Sequence, residues 1–391
     1  MTRIADLIDA RWHGMSVDRR AFPTLPDGFS LRPWREVIDT IPEAAWHELA
    51  CTAATPNPFC EHWFLKPSLE QFDPQGRVCL ATLTVGGKLA GIMPIRYGTN
   101  YHGRFVPHLA NWLHANSFCG EPLVAEAYSH VFWEHMLDWC DRNHRTSLFL
   151  HLANLPTDGT AFQTLRELAA RSDRCFRPVK TVRRAALRKG LSPQEHMNAA
   201  MEKKRRKELS RKRRRLEETG ELVFSRQTGT DALEDWIESF LALERAGWKG
   251  AQGSSLSSAP QTAALFREGL HGAARRGRLE RLAFHLDGAP VAMLCTFVTP
   301  PISFGFKTAF DESYAKLSPG MLLQVENLAM LERSDIDISD SCAAPGHPMI
   351  EQIWSDRREI AMVTVGIGGT LRRSIGAASS AIELRREEKR Q

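Results

Sequence analysis

The chain has no paired cysteines. Its eight, Cys51, Cys60, Cys79, Cys119, Cys140, Cys175, Cys295 and Cys342, form no CxxC unit. Zinc-type spacing is therefore absent, and in a chain of 391 residues a disulfide framework is not expected. Most of these thiols should be buried in a reducing compartment. The N-terminus lacks a basic stretch followed by an apolar core, so no secretory signal is expected. No run of about 18 apolar residues occurs, so no membrane-spanning helix is expected. A G-x-S-x-G elbow is also missing, which argues against a serine nucleophile of that kind. Together these absences point to a cytoplasmic protein without a metal. Peripheral contact with the inner membrane stays open.

The length favours two domains, each with enough chain for a core. Hydrophobic residues at 43% and charged residues at 25% are ordinary for a globular protein. The net charge of +5 is modest, but its distribution is uneven.

Residues 1–29 read as an extension with one short helix. Pro33–Thr52 and Phe59–Phe72 carry helical patterns, the second interrupted by Pro67. Val78–Val85, the Gly86-Gly87 turn and Leu89–Ile95 form a hairpin pattern, which Phe105–Leu113 continues. A helix over Tyr128–Cys140, a strand over Ser147–Leu152, a helix over Gly159–Arg171 and a strand over Val179–Leu187 complete this half. The second half repeats the order. Helices are expected over Asp231–Arg245 and Gln261–Arg276. Strands are expected over Leu279–Leu286 and Pro290–Val298, joined by Asp287-Gly288. The segments VCLATLTVGGKLAGIMPI and LERLAFHLDGAPVAMLCTF share this pattern, which points to a duplicated fold. Later come a strand over Asp337–Ser339, a short helix over Met349–Trp354, a strand over Ile360–Val365 and a helical tail from Gly368.

Ile302–Leu331 organises the second half. Ile302, Phe304 and Phe306 alternate as in a strand. After the Asp311-Glu312-Ser313 turn, Ser318 suits an N-cap and Pro319 the first helical position. Gly320 allows close approach to the backbone. Met321, Leu322, Val325 and Leu328 then recur at helical spacing. A strand, a small-residue turn and a helix start together suit a pyrophosphate, because free amides and the positive end of the dipole converge there.

Ser192–Glu218 reads as one helix. Ser192 and Glu195 form a capping box, and Pro193 takes the first position. Ten Lys or Arg lie between Lys203 and Arg215. Such a run suits an anionic lipid surface, an acidic carrier protein, or a solvated linker on which Leu209 and Leu216 pack inward. No aromatics interleave with it, so nucleic acid is not the expected partner.

Four stretches carry a family resemblance: KKRRKELSRKRRRLEETGELVF, FLALERAGWKGAQGSSL, FKTAFDESYAKLSPGMLL and DSCAAPGHPMIEQIW. They resemble the GNAT acyltransferase superfamily, in particular its CelD-like branch associated with cellulose biosynthesis. That branch is similar to the Fem-type peptidoglycan aminoacyltransferases. The likeness spans about residues 50–365 and is strongest from Lys203 to Trp354. It implies an α/β (α+β) fold of two tandem GNAT-like domains, with mixed, mainly antiparallel central sheets flanked by helices. The expected division is an extension (1–29), an N-terminal domain (30–190), a basic linker helix (191–219), a C-terminal acyltransferase domain (220–367) and a helical tail (368–391). An acyl-CoA co-substrate, or an acyl carrier protein, is implied as donor. The chain departs from the common Q/R-x-x-G-x-G/A loop, because Lys316-Leu317-Ser318-Pro319-Gly320-Met321 has no second glycine.

Acyl transfer from a thioester to an amine requires a deprotonated nitrogen, a polarised carbonyl and a stabilised thiolate. Glu244, at the end of an apolar helix beside Gly247, is the first candidate base. His347 is the second, since histidine titrates near neutrality, and Asp340 lies in the same stretch. Ser318, Pro319, Gly320, Met321 and Leu322 are the candidates for the diphosphate. Trp248, Lys249, Lys307, Asp311 and His114 are candidates for the substrate pocket. The expected reaction is N-acylation of an envelope amine: a polysaccharide precursor or an amino-lipid such as a sphingoid base, giving a ceramide. Two alternatives remain open: a Fem-type transferase using aminoacyl-tRNA, and a non-catalytic accessory protein of exopolysaccharide synthesis.

Overall fold

The computed structural model describes residues 25–388. The short helix expected in the N-terminal extension lies outside the described residues. The first described strand, β1 (Gly28–Pro33), begins inside the stretch read as extension and opens the sheet. It pairs antiparallel with β2 (Cys79–Val85), which turns at Gly86-Gly87 into β3 (Lys88–Tyr101) and then β4 (Arg104–Asn111). Among the described strands, the two-residue β5 (Leu123–Val124) pairs with β3 alone. Beyond it come β6 (Phe149–Pro156) and β7 (Phe176–Arg188). The second half supplies β8 (Leu222–Thr228), β9 (Leu279–Leu286), β10 (Ala289–Thr299), β11 (Ile302–Phe310), β12 (Ile338–Asp340) and β13 (Asp356–Gly366).

These strands form one continuous sheet, in the order β1-β2-β3-β4-β6-β13-β7-β12-β11-β10-β9-β8. The chain is thus a mixed α/β protein whose mainly antiparallel sheet is flanked by helices. The order is symmetric about the β13–β7 pair. Each half is a four-strand meander, a fifth strand parallel to the fourth, and a sixth strand lent by the other half. The C-terminal β13 completes the first half beside β6, and β7 completes the second beside β12. Through this exchange each half's run of strands ends on a strand from the other half.

Several local expectations are corrected. The basic segment is two helices, Pro193–Ala200 and Lys203–Glu217, broken at Met201, which is extended at φ −139° and ψ 135°. The break lets Met197, Met201 and Leu209 all reach one apolar cluster while the arginines stay outside. The capping box of Ser192 and Glu195 is present. Pro33–Thr52 is not one helix: β1 runs through Pro33, and Trp34–Val37 and Glu43–Thr52 follow as separate helices. The helix His62–Phe72 continues through Pro67. Met349–Trp354 forms turns closed by Ile353 and Trp354 amides on the Ile350 carbonyl, not a helix.

Aromatic packing fixes the second half. Phe240 and Phe266, on the helices Leu233–Ala246 and Pro260–Arg275, meet Phe297, Phe304 and Phe306 on one face of the sheet. Phe297 and Phe306 stack at 4.5 Å. Phe59, Trp63 and Phe64 of the first half join the same cluster. Burying such rings is worth several kcal/mol, roughly 1.5–3 each, so the seam is held by core packing.

Candidate active site

The sheet opens where its parallel strands part. β11 and β12 pair only from Ile302–Ile338 to Phe304–Asp340. Ser341 then follows β7, donating its amide to the Ala185 carbonyl at 3.1 Å, while β11 stays with β10. Gly305 sits at the fork, and a Cβ there would lie 3.0 Å from the Ser341 carbonyl oxygen. Any side chain would push the two strands apart at their crossing. Beyond the fork no strand among the described residues pairs with β11 on that side, and a cavity of about 810 Å³ fills the opening.

The first half has the same parallel pair, β4 with β6, joined at Leu109–Leu150 and Ala110–His151. Its fork is closed. Asn111 donates to the Ala153 carbonyl at 2.9 Å and accepts the Ala153 amide at 2.8 Å, and Gly120 donates to the Asn154 carbonyl. The segment 112–120 occupies the space, so the large cavity belongs to the second half.

The cavity brings together eight of the residues expected from sequence: Glu244, Trp248, Lys249, Lys307, Ser318, Gly320, Met321 and His347. Apolar walls come from Leu243, Leu294, Phe306, Phe310, Met349 and Trp354. Cys295 and Cys342 also line it, but burial pushes the Cys295 thiol up to about 12 and raises that of Cys342 well above its usual range. Neither is a thiolate nucleophile near neutral pH.

At the mouth, the helix Pro319–Glu326 presents its N-terminus. Pro319 has no amide hydrogen, and the amides of Gly320 and Met321 have no acceptor among the described residues. Gly320 is tightly enclosed: a Cβ would meet Phe310 at 3.0 Å and Met349 at 3.2 Å. Ser318 is not a side-chain cap, contrary to the sequence reading. It adopts left-handed backbone angles (φ 55°, ψ 49°) at the junction with the 3-10 helix Glu312–Leu317. Its hydroxyl accepts a 3.0 Å hydrogen bond from Lys212 of the basic helix. Arg205, two turns earlier on that helix, donates to Gln352, another residue that lines the cavity. Sequence reasoning missed Lys212 as a site residue because nothing local distinguishes it from its nine basic neighbours.

Glu244 is buried, and both its oxygens are engaged. Oε1 accepts from Lys249 Nζ at 2.7 Å, and Oε2 accepts the Leu256 amide at 2.7 Å. Its carboxylate is paired with a lysine rather than free in the cavity. Lys249 also reaches the Thr308 carbonyl at 3.4 Å. Burial and then the Lys249 charge lower the His347 pKa, which favours the neutral imidazole. Its Nδ1 accepts the Ile350 amide at 3.4 Å. With a neutral ring, that bond leaves the hydrogen on Nε2, and His347 lines the cavity.

Four expected residues fall outside the cavity lining, besides Pro319. Leu322 turns into the core. Asp311 caps the 3-10 helix by accepting the Ser313 amide at 2.9 Å. Asp340 is fully buried, bonded to Arg184 at 3.2 Å and Arg358 at 3.5 Å, and accepts the Cys342 amide at 2.8 Å. It cannot serve as an open catalytic carboxylate. His114 stacks on Phe72 at 4.5 Å, and burial brings its pKa down to about 3. It belongs to the wall behind Lys307.

Among the described residues no group of His, Cys, Asp and Glu is arranged to hold a metal ion. None of their helices is long and apolar enough to cross a membrane.

Residues 203–341 match the family described as "Acetyltransferase (GNAT) domain". No curated protein sequence matches the chain. Among solved structures, the chain is similar to FemX, with a TM-score of 0.53 at 9% identity, covering 86% of this chain and 98% of that one. A conserved protein of unknown function from Bacteroides thetaiotaomicron gives the same TM-score at 11% identity, covering 83% and 98%. At these identities the likeness is one of fold.

Proposed function

Taking residues 203–341 as a GNAT acetyltransferase domain, we propose that the chain is an N-acyltransferase that moves an acyl group from a CoA thioester, or from the phosphopantetheine of a carrier protein, to an amine. The observation that carries this reading is the open fork between β11 and β12, with the free amides of Gly320 and Met321 at its mouth.

In this reading the diphosphate sits against those two amides, where the helix dipole favours negative charge. Lys212 and Ser318 stand beside it. The pantetheine arm runs along the unpaired edge of β11, whose backbone groups match its amides. The acyl chain fills the apolar walls. A methylene takes up about as much room as a water molecule, roughly 30 Å³, so a cavity of about 810 Å³ accommodates a long chain together with the arm. His347 Nε2–H polarises the thioester carbonyl. Glu244 fixes Lys249 at the wall, and Trp248, half exposed at the rim, faces the acceptor.

The acceptor we propose is an amino-lipid, such as a sphingoid base, ahead of a polysaccharide precursor. Lys204, Arg211 and Arg215 are exposed and share one side of the basic helix, next to the side of Arg205 and Lys212 that touches the rim. A basic stripe and an exposed tryptophan around an apolar mouth suit an anionic bilayer surface. The enzyme would then work at the cytoplasmic face of the membrane.

The test is to incubate the protein with acyl-CoAs of varied length and a panel of amines, and to read N-acyl products by mass spectrometry. Transfer to a long-chain amine supports the reading. No turnover with any thioester, together with no thermal shift on adding CoA, contradicts it. Tight, salt-sensitive binding of aminoacyl-tRNA would instead favour aminoacyl transfer.

A further inference from the structure

Among the described residues, Lys307 is the cavity lysine without a carboxylate partner. Glu244 holds Lys249, whereas Lys307 Nζ donates to a neutral acceptor, Asn116 Oδ1, at 2.7 Å. The ammonium also lies 5.3 Å from the Phe118 ring centre and 5.4 Å from that of Phe306. Asn116 and Phe118 both come from the segment that closes the fork of the first half. A hydrogen-bond chain holds that segment. Ser68 Oγ donates to the Phe64 carbonyl at 2.7 Å, so it accepts from His114 Nε2 at 3.0 Å, and His114 Nδ1 accepts the Asn116 amide at 3.3 Å. The whole chain requires a neutral His114, and burial keeps it so.

We propose that Lys307 is the proton shuttle of the transfer step, and that the 112–120 segment of the first half is the device that positions it. This deepens the acyltransferase reading and rests on it. The acceptor nitrogen attacks the thioester carbonyl carbon, forming the C–N bond as the π electrons move to oxygen. The nitrogen then gives a proton to the free amine of Lys307. The tetrahedral centre collapses, the C–S bond breaks with its electron pair on sulfur, and Lys307 passes the proton to that thiolate. Lys307 begins and ends the cycle as an amine, the products are an amide and a thiol, and nothing is oxidised or reduced.

A shuttle has to give and take a proton near the working pH. Burial, and then the charge of Lys249, bring the Lys307 pKa down to about 8, against an opposing pull from Glu244. His114 faces the same group and is neutral. Among the described residues no carboxylate touches the ammonium to hold its proton.

The test compares wild type with Lys307→Arg, Asn116→Ala and Asn116→Asp. CoA affinity is measured first, by calorimetry, and should stay within about twofold. Single-turnover rates are then followed against pH. Wild type should accelerate with pH through a midpoint near 8. Lys307→Arg keeps the charge but cannot release the proton, and should lose at least about a hundredfold in rate. Asn116→Ala withdraws an acceptor from the ammonium and should move the midpoint down. Asn116→Asp adds a negative charge and should move it up. Opposed shifts from two substitutions at one position are not expected of a merely structural residue. Lys307→Arg turning over within about threefold of wild type overturns the proposal, and so do coincident profiles for the Asn116 pair. If wild type transfers to no amine, the acyltransferase reading fails by itself. Lys307 is then read by competitive acetic anhydride labelling against pH: a midpoint near 8 with protection by CoA supports its assignment to the cavity, and an ordinary lysine midpoint without protection overturns it.

Discussion

Lys212 and Ser318 are 106 positions apart in sequence, yet the lysine Nζ donates a 3.0 Å hydrogen bond to the serine hydroxyl. The contact ties the basic helix to the turn that opens the helix Pro319–Glu326. It sets a cation beside the hydroxyl of a residue that lines the cavity next to two free amides.

Replacing that cation should weaken CoA. Lys212→Ala is expected to lose roughly fivefold in affinity, as for a partly exposed charge contact of about 1 kcal/mol. The loss should shrink at high ionic strength. Calorimetric titration at two salt concentrations checks both statements. An unchanged affinity at low salt would remove Lys212 from the donor site.

Asp340 is expected to matter for stability rather than for chemistry. Asp340→Asn leaves the buried guanidinium groups of Arg184 and Arg358 without their shared anion. Breaking such a pair from one side costs about 3–5 kcal/mol. A urea melt should show that loss, while the protein that remains folded keeps its rate.

Glu121 gives a pH-dependent term. Burial raises its pKa to about 7, against the Ala161 amide, Arg358 and Thr55, which pull it down. In the unfolded chain a glutamate titrates near about 4.3. Between those values the folded state holds a proton that the unfolded state has released, so stability falls as pH rises from about 4.5 to 7. Glu121→Gln should abolish that slope. It should be no more stable than wild type at pH near 4 and up to about 3 kcal/mol more stable at pH near 8. Denaturant midpoints at the two pH values measure it.

The bilayer contact is separable from catalysis. Changing Lys204, Arg211 and Arg215 to Gln should weaken binding to vesicles containing phosphatidylglycerol by roughly fivefold per residue. Binding to neutral phosphatidylcholine vesicles, and turnover of a short soluble amine, should not change. Co-sedimentation decides it. Equal binding of wild type and the triple variant to anionic vesicles would place the membrane face elsewhere.

The strands and helices around Ile302–Leu331 were legible because alternation in ISFGF and the turn chemistry of SPG are local signals. The repeated meander was legible for the same reason. The exchange of β7 and β13 was not, since the Ala185 and Arg358 segments pair over more than 150 residues and no periodicity reports a partner. The site was half legible. Glu244, Lys307 and His347 do meet at one cavity, and each was visible as a charged or titratable residue in an apolar or Pro/Gly context. Asp340 looked equally promising beside its strand end. Only the positions of Arg184 and Arg358 reveal that its charge is spent. Asn116, one polar residue in a loop with others, carried no signal at all.

The central claim is that the amides of Gly320 and Met321 receive a diphosphate at the mouth of the open fork. A structure determined with CoA bound tests it most directly. The account predicts the diphosphate within hydrogen-bond distance of both amides, Lys212 beside it, and the sulfur in the cavity near Lys307 and His347. CoA bound elsewhere, or a fork that stays empty at saturating CoA, would contradict it.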